Sequence, residues 1–141
     1  MKFSFFYHSI ESDWNHGNAH FLRGVVSDLL ARGHEVQVYE PENAWSRENL
    51  LSDHGNAALT AFYDVYPNLS SRTYSQESLD MESVAADSDV VVVHEWNEPW
   101  LVNGLGDLRN RLQSGGNHDQ DFCLLFHDTH HRAVSDPSWL H

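Results

Sequence analysis

Residues 18–41 read NAHFLRGVVSDLLARGHEVQVYEP, and this stretch decides the fold. Phe21, Leu22, Val25, Val26, Leu29 and Leu30 recur at i, i+1, i+4, i+5, i+8 and i+9, one apolar stripe along a helix from about Asn18 to Arg32. Arg32 suits the last turn, and Gly33 supplies the left-handed residue that stops it. Val36 to Tyr39 then reads as a short strand, closed by Glu40 and Pro41. Upstream, residues 3–8 (FSFFYH) are mostly apolar, as in a strand covered on both faces. Strand, polar loop, amphipathic helix, glycine stop and strand make a βαβ unit, whose crossover is right-handed almost without exception. The two strands are therefore expected side by side and parallel.

The alternation continues downstream. Ser46 is placed to cap a helix over 47–53, and 57–66 reads as another, stopped by Pro67. Residues 71–74 are a candidate third strand, and 78–86 a helix ended by the turn Asp87-Ser88-Asp89. Val90 to His94 (VVVVH) has the unbroken apolar run of a central parallel strand. Pro99 opens a helix to about Gln113 with Leu101, Leu105, Leu108 and Leu112 on one face; 122–127 (FCLLFH) is the fifth strand. The expectation is an α/β domain: an open parallel sheet in order 3-2-1-4-5, helices on both faces, strand one central. Residues 132–141 barely hold a helix to cover the fifth strand, so residues 1–141 are expected to be a single domain cut from a longer protein.

Charge narrows the partners. With 21 acidic against 8 basic residues the formal charge is −13, which repels phosphate backbones and anionic lipid and speaks against nucleic acid and membrane-surface roles. No run approaches the roughly 20 apolar residues of a membrane span. The start, MKFSFFYHSIESDW, has too short an apolar stretch and too many early acids for a signal peptide, so a cytoplasmic protein is expected. The one cysteine, Cys123, lies inside an apolar strand run and is expected to be a buried, inert thiol with no intrachain disulfide.

A polar turn with glycine, His16-Gly17-Asn18, opens the first helix, and the tract LLARGHEVQVYEP (29–41) closes the unit. That tract resembles the first crossover of GT-B glycosyltransferases. DVVVVHEWNEPWLV (89–102) and FCLLFHDTHHRAV (122–134) resemble the fourth and fifth strand ends of the N-terminal domains of such enzymes. The likeness is to bacterial transferases related to the spore-maturation CgeB group, family-4-like in pattern. It implies a Rossmann-like, acceptor-side domain whose strand tips line the acceptor cleft. A second, C-terminal domain, outside these residues, would hold most of the nucleotide-sugar donor, and residues 1–141 would be inactive alone. It also implies that the turn at Gly17 faces the interdomain cleft near the donor phosphates, and that no bound metal is needed to hold the donor. Two other readings stay open: a non-enzymatic flavodoxin-like ligand-binding or regulatory domain, and another Rossmann-like enzyme such as a nucleotide-sugar epimerase.

The candidate site is marked by histidine, of which there are eleven. His8, His94 and His127 each close an apolar run, and His16, His20, His130 and His131 lie just downstream of such ends. Parallel strands would bring all seven to the carboxyl edge, where open α/β sheets bind ligands at the switch of strand order. Imidazole also exchanges a proton near neutral pH. His16, on the first loop, is the first candidate for a catalytic base and His127 the second. His94-Glu95 and His127-Asp128 each set a carboxylate beside an imidazole, although neighbours in extended chain point to opposite faces. Gly17 and Asn18 stand where backbone N–H groups favour anions, or else Gly17 only makes the turn, with His20 packed under the sheet. Arg132 is placed for a phosphate or carboxylate contact, or for a surface ion pair. Trp96 and Trp100 could stack on a sugar or pack the helix start. The chain has no HExxH or CxxC pattern, and neither a metal nor a cofactor is expected. His8, His16, His94, His127, Gly17, Glu95, Asp128 and Arg132 are expected to line one continuous cleft.

Overall fold

The elements run β1 (Lys2–Phe6), α1 (Asn18–Ala31), β2 (Glu35–Pro41), α2 (Trp45–His54), α3 (Asn56–Val65), β3 (Ser71–Tyr74), α4 (Met81–Ala86), β4 (Val90–His94), α5 (Pro99–Ser114) and β5 (Cys123–His127). The computed structural model describes residues 1–13, 17–115 and 122–129. Its five strands form one sheet in the order β3-β2-β1-β4-β5. Every pairing is parallel, with Phe3 beside both Val36 and Val90 and His94 beside His127. This is the Rossmann-like open sheet that the βαβ pattern predicts, with β1 central and the order reversing between β1 and β4.

Alternation along β1 divides the core. Phe5 and Tyr7 join Leu22 and Val26 of α1, Val38 of β2 and Phe62 of α3 on one face. Phe6 points the other way, to Val91, Val93 and the α5 leucines Leu101, Leu105 and Leu108. The stripe read for α5 is its buried face, and that read for α1 packs inward at Leu22 and Val26 with Val25, Leu29 and Leu30 half-buried beside them, whereas Phe21 is exposed. Leu22, Leu101 and Leu105 are wholly buried, each stabilising the fold by about 1.5–3 kcal/mol. Helix α1 ends as its sequence requires. Gly33 has φ 81°, its N–H reaches the Leu30 carbonyl at 3.0 Å, and the His34 N–H reaches that of Leu29 at 3.1 Å. This paired closure satisfies carbonyls the helix leaves open.

Some boundaries differ from the sequence reading, each for a local reason. α2 starts at Trp45 after an Ala44 cap, so Ser46 lies within the helix and caps nothing. α4 starts only at Met81, because Asp80 accepts the Ser83 N–H at 3.0 Å and sets the cap there. β1 ends at Phe6; the Tyr7 N–H still meets the Tyr39 carbonyl at 3.1 Å, but His8 belongs to the loop. Cys123 is exposed, not buried. Among the described residues β5 has a strand neighbour on one side only and is incompletely covered: Leu124 packs against the α5 core, but Leu125 is 49% exposed, whereas Phe122 just before the strand is buried. Among the described residues no helix is long and apolar enough to cross a membrane.

Candidate functional site

Because β1, β4 and β5 are adjacent and parallel, the segments that leave them meet at one edge. A continuous run of aromatic and imidazole rings lies there. Trp45 faces His8 at 4.8 Å between centroids, and His8 meets Trp96 at 5.7 Å edge-on. Trp96 meets His94 at 5.9 Å, and His94 lies 4.8 Å from Tyr7 and 5.2 Å from His127. Phe21, at the start of α1 and 54% exposed, closes the run 5.0 Å from His127.

The sequence-predicted residues separate into two tiers. His8 and His94 are buried, and each accepts a backbone N–H: Ser46 N donates to His8 Nε2 at 3.2 Å, and Trp96 N to His94 Nδ1 at 3.2 Å. An accepting Nδ1 leaves the His94 proton on Nε2, 3.4 Å from the Thr129 hydroxyl. That hydroxyl in turn donates to Glu95 Oε1, which also accepts the Thr129 N–H at 2.8 Å. Glu95 is wholly buried, and its own N–H reaches the His127 carbonyl at 3.0 Å. Glu95 therefore ties the β4 exit to the β5 exit and shapes the floor of the site. Trp96 is half-buried in the ring cluster, and Trp100 packs edge-on against Tyr74 at 6.2 Å.

His127 and Asp128 form the accessible tier. His127 is half-buried, and its Nδ1 lies 2.6 Å from the Tyr7 hydroxyl. Burial lowers its proton affinity below that of an ordinary histidine, although Glu95 and Asp128 both pull the other way. Burial also pushes the Tyr7 hydroxyl up, so it stays protonated at neutral pH. Asp128 is exposed at the rim. Gly17 and Asn18 open α1 without a side-chain cap. Gly17 has φ −92° and a Cβ there would meet nothing within 4 Å among the described residues, so neither backbone shape nor space demands glycine. His20 is exposed and bonds Asp13 at 2.6 Å instead of packing under the sheet. His16, Arg132, His130 and His131 lie outside the described residues.

Several residues that hold the site are not among the candidates read from the sequence. Glu40, wholly buried at the end of β2, accepts the Ile10 N–H at 2.7 Å and the Ser9 hydroxyl at 3.1 Å. Burial raises its pKa to about 7. Its position after the βαβ unit is where a dinucleotide-binding fold keeps a ribose ligand, but here the carboxylate faces the protein's own loop. Arg23 of α1 donates to the Ile10 carbonyl at 2.7 Å and the Glu11 carbonyl at 3.0 Å, and lies over Phe62. Glu11 itself accepts from Arg47 at 2.6 Å and from Tyr63. Asn97 donates to the carbonyls of Phe6 and His94, both at 2.8 Å, and accepts from Tyr74 at 2.6 Å. Residues 9–11 after β1 and 95–97 after β4 are thus firmly held, which preorganises what they carry.

Among the described residues no three His, Cys, Asp or Glu side chains converge as a metal ion would require. Compared with known proteins, the chain matches no family model, no curated protein and no solved structure.

Proposed function

We propose that this domain is the acceptor-side half of a glycosyltransferase that moves a sugar from a nucleotide-sugar donor to an acceptor. The observation that carries the reading is the ring-lined edge at the β1–β4 switch, running from Trp45 through His94 to His127 and Phe21. Aromatic faces with an imidazole and carboxylates between them suit a ligand that is apolar on one face and hydroxylated on its rim. In this reading His127 touches the acceptor and His16 takes its proton, with Gly17, Asn18 and Arg132 toward the donor. The donor's base and ribose are left to a second domain, and the cytoplasm is the site of action, which a lone cysteine suits.

A flavodoxin-like binding domain without catalysis is the second reading. It is favoured by His8 and His94, whose ring nitrogens serve backbone amides. An isotope-labelled sample titrated with neutral saccharides and nucleotide sugars separates the cases. Saccharide-induced shifts at Phe21, His127 and Asp128, with only weak nucleotide-sugar binding, support the transferase half. Submicromolar nucleotide-sugar binding by these 141 residues contradicts it. In the complete enzyme His16→Ala should lower turnover by roughly a hundredfold or more; wild-type turnover supports the binding domain.

A further inference from the structure

Among the described residues the Tyr7 hydroxyl forms one hydrogen bond, to His127 Nδ1 at 2.6 Å. A phenol has one hydrogen to place, and Tyr7 is 2% exposed. Were the hydroxyl to accept from Nδ1–H, its own hydrogen would be buried without an acceptor among the described residues, the costly arrangement. The hydroxyl therefore donates to Nδ1, and the imidazole carries its proton on Nε2. The neighbouring imidazole repeats the pattern from a different donor: Trp96 N–H occupies His94 Nδ1, and His94 Nε2 faces Thr129.

We infer that His127 meets its ligand as a hydrogen-bond donor through Nε2, with Tyr7 fixing that tautomer, and that the oxygen it reads is uncharged, as in a saccharide hydroxyl. Only the identity of the ligand rests on the glycosyltransferase reading. Burial supports the donor role by keeping the ring neutral at working pH, and a neutral imidazole is a competent donor to substrate oxygen. Among the described residues the groups that face His127 are Tyr7 from the β1 exit, His94 and Glu95 from the β4 exit, Asp128 from its own loop and Phe21 from α1. Both ionisable acids in that set are felt by the ring as negative charge. A phosphate or carboxylate would meet repulsion there, and a hydroxyl would not. His127 is accordingly a binding and orienting residue, and removal of the acceptor's proton falls to another group.

Long-range proton–nitrogen spectra of the labelled chain read the tautomer directly. The expected result is a protonated Nε2 and a bare Nδ1 on His127; a protonated Nδ1 overturns the inference. Tyr7→Phe keeps the ring and deletes the hydroxyl. Losing a donor to the neutral imidazole should raise the His127 pKa by roughly half to one unit. A fall, as expected if Tyr7 accepts, or no change, overturns it as well. If Tyr7→Phe does not fold, the spectrum of the unaltered chain decides alone. For the ligand, methyl glucopyranoside should shift the His127 ring signals at lower concentration than glucuronate does. Tighter glucuronate binding refutes the uncharged oxygen. If neither sugar binds while Nε2 is protonated, the ligand clause and the saccharide reading fall together, and the donor assignment stands.

Discussion

Replacing Glu40 by Gln tests the buried carboxylate that clamps the loop after β1. Burial is the main cause of its raised pKa, Glu11 adds repulsion, and bonds from Ile10, Ser71 and Ser9 offset part of it. Arg47 and Tyr63 complete the charged and titratable surroundings. A folded pKa of about 7 against 4.5 in the unfolded chain means that the folded protein holds this proton more tightly. The resulting stabilisation is fully present below about pH 4.5 and is lost as pH rises through 7. At 1.36 kcal/mol per unit, the loss reaches roughly 3 kcal/mol. Glutamine keeps an oxygen for the Ile10 N–H and carries no charge. The variant should therefore match the unaltered protein near pH 5 and exceed it by roughly 2–3 kcal/mol at pH 8. Urea unfolding followed by tryptophan fluorescence at pH 5, 6, 7 and 8 measures this, and the difference between the two proteins cancels the carboxylates they share. A gap that stays constant with pH, or one that turns in favour of Glu40 as pH rises, refutes the reasoning.

Two further substitutions test the frame. Gly33→Ala forces a Cβ into a φ of 81° at the end of α1 and should cost about 1–2 kcal/mol by thermal or urea unfolding; an unchanged midpoint would show that the helix ends otherwise. Leu105→Ala removes a wholly buried side chain from the β1–β4–α5 core and should cost about 2–5 kcal/mol. A loss below about 1 kcal/mol would mean that the core closes over the cavity.

The frame was legible because it is written in local patterns. The stripe from Phe21 to Leu30, the stop at Gly33 and the valines 90–93 each fix an element without reference to distant residues. The βαβ unit then sets β2 beside and parallel to β1. The site was legible only as a place. That His8, His94 and His127 reach one edge follows from parallel strands, but what each ring nitrogen does depends on partners far along the chain. His8 is answered by Ser46, 38 residues away, and His127 by Tyr7, 120 away. Tyr7 was hidden inside the apolar run FSFFYH, where a phenol reads as core. Glu40 did carry a signal, an acid directly ending a strand before proline, but its weight appears only when the loop it holds is seen in space. Cys123 misled because FCLLFH has the pattern of a covered strand, and composition does not say which strand lies at the end of a sheet.

The two ends of that sheet are not alike. β3 ends it with Ser71-Arg72-Thr73-Tyr74, a polar strand with an exposed arginine. β5 ends it with Cys123-Leu124-Leu125-Phe126-His127, which carries no formal charge and shows Leu125 and Phe126 to solvent. Native sheets discourage strangers from adding to their margins with charge, proline or a bulge, and this margin has no charge or proline of its own. Among the described residues it is therefore the margin with the least charge, where concentrated solutions should begin to self-associate despite a net charge of −13 that otherwise holds copies apart.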